Sequence, residues 1–301
     1  MSHRGNIGAI EAGGTKIVCC VGASWQEIRD GEKLFVPTTS PEETMALVMD
    51  WFVARDAETP LAAIGVASFG PIDFASGSIA MSTPKQAWRG LSWRRHLGQR
   101  FGDVAVGLDT DTNAAGLAEW RWGAAQGRQV AAYITVGTGI GGALVVNGTP
   151  VHGLLHPEMG HMVVPRQRGD EFAGTCPTHG DCLEGLACGP AVAQRWNGSG
   201  HQLPPGHAAW ELESAYLATA MVNIITIASP EVIVLGGGVM AVEGLLDQVR
   251  AKTRDLMRGY IDSKELAGGI DRYIVAPGLG SNSGVVGAFA LGSMAALDAR
   301  S

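Results

Sequence analysis

The sequence is short of charge, and of positive charge above all. Charged residues are 17% of 301, and 22 Lys and Arg stand against 29 Asp and Glu, a net charge of −7. A protein whose main partner is a nucleic-acid backbone needs a basic surface, so that class is set aside. A long uncharged apolar run is also missing. Even Ala208–Ala228 carries Glu211, Glu213 and Asn223, so no membrane span is predicted. Met1–Asn6 has no apolar signal segment behind it, because the first apolar stretch carries Glu11 and Lys16 and is broken by Gly13 and Gly14. The expectation is a cytoplasmic protein, with no membrane and no nucleic acid as partner. Five cysteines in that compartment read as free thiols or metal ligands, not disulfides. A Walker P-loop is absent as well, since no G-x-x-x-x-G-K-[ST] occurs.

What is present is a globular composition, with 46% hydrophobic residues and 43 glycines. The glycines cluster between apolar runs, where ligand loops and turns need positive φ or close backbone approach. Asn6–Gly22 reads as a hairpin, with β-rich runs Ile7–Ile10 and Ile17–Val21 about the turn Ala12-Gly13-Gly14-Thr15. Ala131–Asn147 repeats the pattern around Gly137-Thr138-Gly139, a weak internal repeat that reads as two similar halves or as two unrelated hairpins. Ser40-Pro41-Glu42-Glu43 starts a helix expected to reach about Ala54, with Ser40 and Glu43 as a capping box. Strands are expected at Ala62–Ser68, Val104–Leu108, Pro230–Leu235 and Tyr273–Val275. Helices are expected at Ala114–Gln126, Ala208–Ala228, Gly244–Arg258 and from Ser283, with residues 148–188 irregular. Alternating strands and helices with hairpins imply α/β layers around mixed sheets.

Three glycine clusters each follow a strand: Gly13-Gly14-Thr15-Lys16, Gly137-Thr138-Gly139 and Gly236-Gly237-Gly238. Backbone N–H groups at such turns can face anionic oxygens, and Thr15, Thr138 and Lys16 add hydroxyls and a cation. Each turn alone reads first as structure and only second as a ligand loop; three together point to nucleotide binding. Gly137–Gly142 is not a dinucleotide fingerprint, because a strand and not a helix follows it.

Cys176-Pro-Thr-His179-Gly-Asp-Cys182 places metal-ligand types at i, i+3 and i+6, a spacing that suits one tetrahedral ion, with zinc as the default. The fourth ligand is expected from His161, with His152 and His156 as rivals. Cys19, Cys20 and Cys188 are assigned to packing. At the strand–helix junction Asp109-Thr110-Asp111-Thr112-Asn113, a carboxylate can serve as an N-cap or as a general base toward a substrate hydroxyl. Pattern alone leaves both roles open and does not choose between Asp109 and Asp111.

Taken in order, Ile10–Cys19, Ser68-Phe-Gly-Pro-Ile-Asp73, Ser82-Thr-Pro-Lys85, Asp109–Asn113, His156-Pro-Glu-Met-Gly-His161 and Cys176–Glu184 resemble the ROK family (repressors, open reading frames and kinases), most closely its bacterial fructokinase branch. The resemblance runs from Ile10 to Asn282. It implies an α/β two-domain fold of the sugar kinase, actin and chaperone-ATPase type (ribonuclease H-like), with duplicated mixed-sheet halves and substrate in an interdomain cleft. The expected domains are residues 1–112 with the C-terminal helix 284–301, and residues 113–283 with the zinc loop. The resemblance makes Asp111 the base. It places Gly13–Lys16 and Gly137–Gly139 on the ATP phosphates and Gly236–Gly238 near the adenosine. It puts Gly70, Pro71, Thr83, Asn113, Glu158, His161 and Glu184 on the sugar. His161, Cys176, His179 and Cys182 would hold a structural Zn²⁺, Mg²⁺ would accompany ATP, and a homodimer is implied.

Two departures stand out. Glu11 replaces an Asp common among relatives, as it does in the fructokinase branch, and Thr110 replaces an Asn common immediately before the base. The reaction expected is ATP-dependent phosphorylation of a hexose, with fructose first and mannose, glucose or an N-acetylated hexosamine as alternatives. A family repressor would need a helix-turn-helix ahead of Ile10, where nine residues stand. A non-catalytic sugar- and zinc-binding protein is the remaining alternative.

Overall fold

The computed structural model describes residues 5–198 and 200–299. Met1–Arg4 of the leading segment and the last two residues of the expected 284–301 stretch lie outside that range. The chain divides into two compact units. One holds residues up to Ala118, His152–His156 and the stretch from Ser281; the other holds Glu119–Val151 and Pro157–Gly280. Each has its own apolar core. Among the described residues, no helix is long and apolar enough to cross a membrane.

The first unit is built on a five-stranded sheet. Its strands are β1 (Asn6–Ala12), β2 (Lys16–Gly22), β3 (Leu34–Pro37), β4 (Leu61–Ser68) and β7 (Ala105–Thr110), in the order β3-β2-β1-β4-β7. β1 pairs antiparallel with β2 and parallel with β4, and β4 pairs parallel with β7. A two-stranded ribbon, β5 (Ile72–Asp73) and β6 (Ser78–Ile79), follows β4. The helices are α1 (Trp25–Asp30), α2 (Pro41–Glu58), α3 (Trp93–Phe101), the start of α4 (Asp111–Trp122), and α11 (Ser283–Asp298). Helix α2 begins as the sequence suggests, with the Glu43 N–H donating to the Ser40 hydroxyl at 3.3 Å. The capping box is only half made, because the Glu43 carboxylate accepts from the Thr39 hydroxyl instead. The helix also runs four residues beyond Ala54, to Glu58.

Helix α11 lies flush on the sheet because glycine faces it. A Cβ on Gly65 would sit 1.8 Å from the Ala288 carbonyl oxygen, and one on Gly107 2.2 Å from that of Leu291. Backbone meets backbone there, which only glycine allows. This contact aims the start of α11 at the end of β1.

The second unit repeats the plan. β8 (Val130–Val136), β9 (Ile140–Val146), β10 (Thr149–Pro150), β11 (Val232–Gly236) and β12 (Ile274–Val275) form a sheet in the order β10-β9-β8-β11-β12. β8 pairs antiparallel with β9 and parallel with β11, as β1 does with β2 and β4. The two hairpins are therefore matched parts of one duplicated topology. The unit also carries α5 (Leu183–Ala187), α6 (Gly189–Trp196), α7 (Ala208–Ala228), α8 (Leu245–Met257), α9 (Lys264–Gly268) and α10 (Ile270–Tyr273). Residues 148–188 are less irregular than expected, since they include β10, a short 3-10 turn at Met159–His161, and α5.

Candidate active site and metal centre

In the first unit, strand β7 ends where α4 begins, and the junction separates the roles that the sequence leaves open. The cap is Thr110: its hydroxyl accepts from the Asn113 N–H at 3.1 Å. An Asp–Thr–Asp sequence thus spends its threonine on the helix and keeps both carboxylates for other partners. Asp109 is fully engaged. Its Oδ1 accepts from the Thr110 N–H at 2.7 Å and from Asn113 Nδ2 at 2.8 Å, and the His152 ring Nε2 lies 3.1 Å from its Oδ2. Asp111, by contrast, accepts among the described residues only from its own backbone N–H and from Thr112, at 2.7 Å from that residue's N–H and 3.2 Å from its hydroxyl. Burial pushes the Asp111 carboxyl up to about 6, against the pull of those hydrogen bonds. A carboxylate near 6 is matched to taking a proton at neutral pH.

Glu11 stands close by on β1. Burial raises its carboxyl to about 7, the charge of Asp111 adds to the rise, and Lys16 opposes it. Asn282, at the start of α11, caps no backbone N–H with its side chain; the Val285 N–H donates to Glu11 instead. Glu11 thus sits at the positive end of α11, where a carboxylate is favoured.

The first glycine turn joins β1 to β2. The Gly13 N–H donates to the Lys16 carbonyl at 3.0 Å, and Thr38, just past β3, braces the turn with its hydroxyl on the Gly13 carbonyl at 2.9 Å. A residue to which the sequence reading gave no role also stands here. Lys85 packs its stem 3.6 Å from where a Gly14 Cβ would be, with its ammonium 5.6 Å above the Phe69 ring. The sequence marks it only as the end of Ser82-Thr-Pro-Lys85, since 71 positions of chain separate it from Gly14. Gly70 and Pro71, joined by a cis peptide, follow β4. The next N–H, that of Ile72, donates to His156 Nε2 at 3.3 Å. Thr83 is fully buried, and its hydroxyl has no hydrogen-bond partner among the described residues.

The second unit brings the other two glycine loops together. Gly137 N–H bonds to the Gly139 carbonyl at 2.8 Å, and the Gly137 carbonyl accepts from Gly189 at the start of α6 at 2.7 Å. Gly237, at φ +98°, lies against Val136, where a Cβ would come within 2.3 Å of its carbonyl oxygen. Glu184 on α5 reaches the same place, its Oε2 accepting from the Ile140 N–H at 2.8 Å.

The four expected metal ligands converge. One donor atom each from His161, Cys176, His179 and Cys182 lies within 4.8 Å of the others. His161 Nδ1 is 3.7 Å from the Cys176 sulfur and 3.5 Å from that of Cys182, and His179 Nδ1 is 3.7 Å from Cys176. Zn–S bonds of about 2.3 Å and Zn–N bonds of about 2.0–2.1 Å at tetrahedral angles put S and N about 3.6 Å apart. The donor set therefore fits zinc in type, number and spacing. The His179 backbone N–H donates to the Cys176 sulfur at 3.4 Å, which braces the loop about its first ligand position. The rivals for the fourth ligand, His152 and His156, are not in the cluster. They belong to the first unit, held by Asp109 and by the Ile72 N–H.

The centre is continuous with the rest of the unit. His161 ends the Met159–His161 turn that begins after Glu158, and Gly160 in that turn packs on the Ile140 carbonyl, 1.8 Å from a would-be Cβ. Cys182 leads directly into α5 and Glu184, and Leu183 N–H donates to the Met162 carbonyl at 3.0 Å. Ligands, Glu158, Glu184 and the second glycine loop thus form one connected piece. The three cysteines assigned to packing, Cys19, Cys20 and Cys188, are buried.

Comparison with known proteins agrees with this architecture. A sequence profile described as the ROK family matches residues 7–294. A protein named putative fructokinase from Bacillus subtilis is 41% identical over 293 residues, covering 96% of each chain. A fructokinase from Zymomonas mobilis is 40% identical over 294 residues, covering 94% of this chain and 95% of that one. Among solved structures, the ROK hexokinase of Thermus thermophilus is similar at a TM-score of 0.75 and 26% identity, covering 97% of this chain and 99% of the other.

Proposed function

This chain belongs to the ROK family, and we propose that, as a sugar kinase of that family, it transfers the γ-phosphoryl group of ATP to D-fructose, with Asp111 as general base. The observation that carries the base assignment is the contrast at the β7–α4 junction. Asp109 is closed off by three donors, whereas Asp111 is partly buried, raised to about 6, and bonded among the described residues only to its own N–H and to its neighbour Thr112. In its ionised form Asp111 would accept the proton of the attacking sugar hydroxyl while that oxygen bonds to phosphorus and ADP leaves. Fructose as the acceptor is supported by two fructokinase-named relatives at 40% and 41% identity over most of the chain.

The remaining roles are assigned by chemistry. The turn Gly13–Lys16, flanked by Lys16 and Lys85, and the turn Gly137–Gly139 would receive phosphate oxygens. Gly236–Gly238 would lie by the adenosine. Gly70, Pro71, Thr83, Asn113, Glu158, His161 and Glu184 would meet the sugar. Mg²⁺ bound with ATP would neutralise charge on the phosphates. Zn²⁺, held by His161, Cys176, His179 and Cys182, would keep Glu158, His161 and Glu184 in register. Because Nδ1 of His161 faces the sulfurs, its Nε2 remains for a sugar hydroxyl.

The test is Asp111→Ala beside the wild type in a coupled ADP-release assay with fructose and Mg²⁺. The expected result is loss of turnover with zinc content and fold retained; near wild-type turnover would remove Asp111 from the mechanism.

A further inference from the structure

We infer that His152 is a sugar-binding residue of this site, held in place by Asp109, and that it discriminates among acceptor hexoses. This rests on the sugar kinase reading with Asp111 as base. Asp109 is a buried carboxylate, its side chain 4% exposed, with no Lys or Arg paired to it among the described residues. Burying a carboxylate costs free energy unless donors surround it. Here the donors are the Thr110 N–H, the Asn113 amide and the His152 ring. A carboxylate only accepts, so it fixes the ring: Nε2 carries the proton and donates to Asp109. The same hydrogen bond lifts the His152 pKa above its ordinary value.

That leaves Nδ1 as the ring's free hydrogen-bonding atom. Among the described residues it has no partner, and the His152 side chain is 37% exposed. Nδ1 accepts when the ring is neutral and donates when it is charged, and a sugar hydroxyl answers either. Phe74 packs at 4.6 Å between ring centroids and sets the plane of the imidazole. The location also fits. Asn113 Nδ2 is 3.3 Å from His152 Nε2, and Asn113 stands in the first turn of α4, two residues after Asp111. The Asn113 Oδ1 is buried without a hydrogen-bond partner among the described residues, a second open acceptor beside the ring. A carboxylate that orients a histidine next to the base is a preorganised recognition group; packing alone would not require the charge.

The experiment is steady-state kinetics of the full-length His152→Gln and Asp109→Asn variants with fructose, mannose and glucose. The sugar KM should rise roughly ten-fold or more in His152→Gln, and less in Asp109→Asn, which keeps the ring but not its fixed proton. The ATP KM and the zinc content should stay at wild-type values, and the preference among the hexoses should narrow. A wild-type sugar KM in folded His152→Gln would overturn the inference, as would parallel rises in the sugar and ATP KM values, which a merely structural role produces. Should His152→Gln fail to fold, Asp109→Asn and His152→Asn decide on the same readout. Wild-type protein that releases no ADP with any hexose would sink the kinase reading, and this inference with it. Wild-type turnover matched by the variants would sink the inference alone.

Discussion

Asp111 and Glu11 are two carboxylates that the fold holds above their ordinary range, at about 6 and about 7. The native protein therefore binds their protons more tightly than the unfolded chain does. Their contribution to stability is present at low pH and is lost as pH rises from the ordinary carboxylate range through those values. Catalysis runs the other way, because a base acts only when ionised. We predict that kcat/KM falls as pH drops through about 6, where Asp111 takes up its proton; a flat profile down to pH of about 5 would contradict the assignment. Asp111→Asn should lower kcat by about 10²–10⁴-fold. The same variant should raise the melting temperature at pH of about 8, because it removes a charge that the fold disfavours. A lower melting temperature there would mean that the charge is compensated in the native state. The sequence narrowed the base to two aspartates and went no further without the family resemblance. What separates them is tertiary: the partner that closes Asp109 is His152, 43 positions away.

The metal loop shows the same division between local and distant information. Three of the proposed ligands stand out in the sequence because Cys176, His179 and Cys182 lie within one tight turn, closed by paired hydrogen bonds between Cys176 and Gly180. The fourth was readable only as a choice among histidines, since loop closure from residue 161 to 176 leaves no periodic trace. Gly185, on α5, packs against this turn, for a Cβ there would meet the Gly180 carbonyl oxygen at 1.9 Å. Gly185→Ala should therefore open the loop, lower metal occupancy and lower the melting temperature; metal analysis with a thermal melt checks this. Cys176→Ser should weaken sugar binding more than ATP binding, read as separate KM values. Equal effects would mean that the centre supports the whole unit and not the sugar-facing residues. Other elements escaped the sequence for physical reasons. Helices α1 and α5 are six and five residues long, too short to show a period. Helix α6 opens on Gly189-Pro190, which reads as a break although proline suits a first turn.

At the scale of the molecule, the repeated hairpin is a weak signal in the sequence, and both sheets carry it in the same place. The order of the outer strands was not legible: β3, at one edge, has four residues, and β12, at another, has two. The central claim is that the assembled residues make a kinase whose acceptor is fructose. The most direct test is ADP release by the zinc-loaded protein with Mg²⁺ and ATP, measured across fructose, mannose, glucose, N-acetylglucosamine and N-acetylmannosamine. The account predicts the highest kcat/KM with fructose. A higher value with any of the other four would contradict the acceptor, and no sugar-dependent ADP release at all would contradict the kinase.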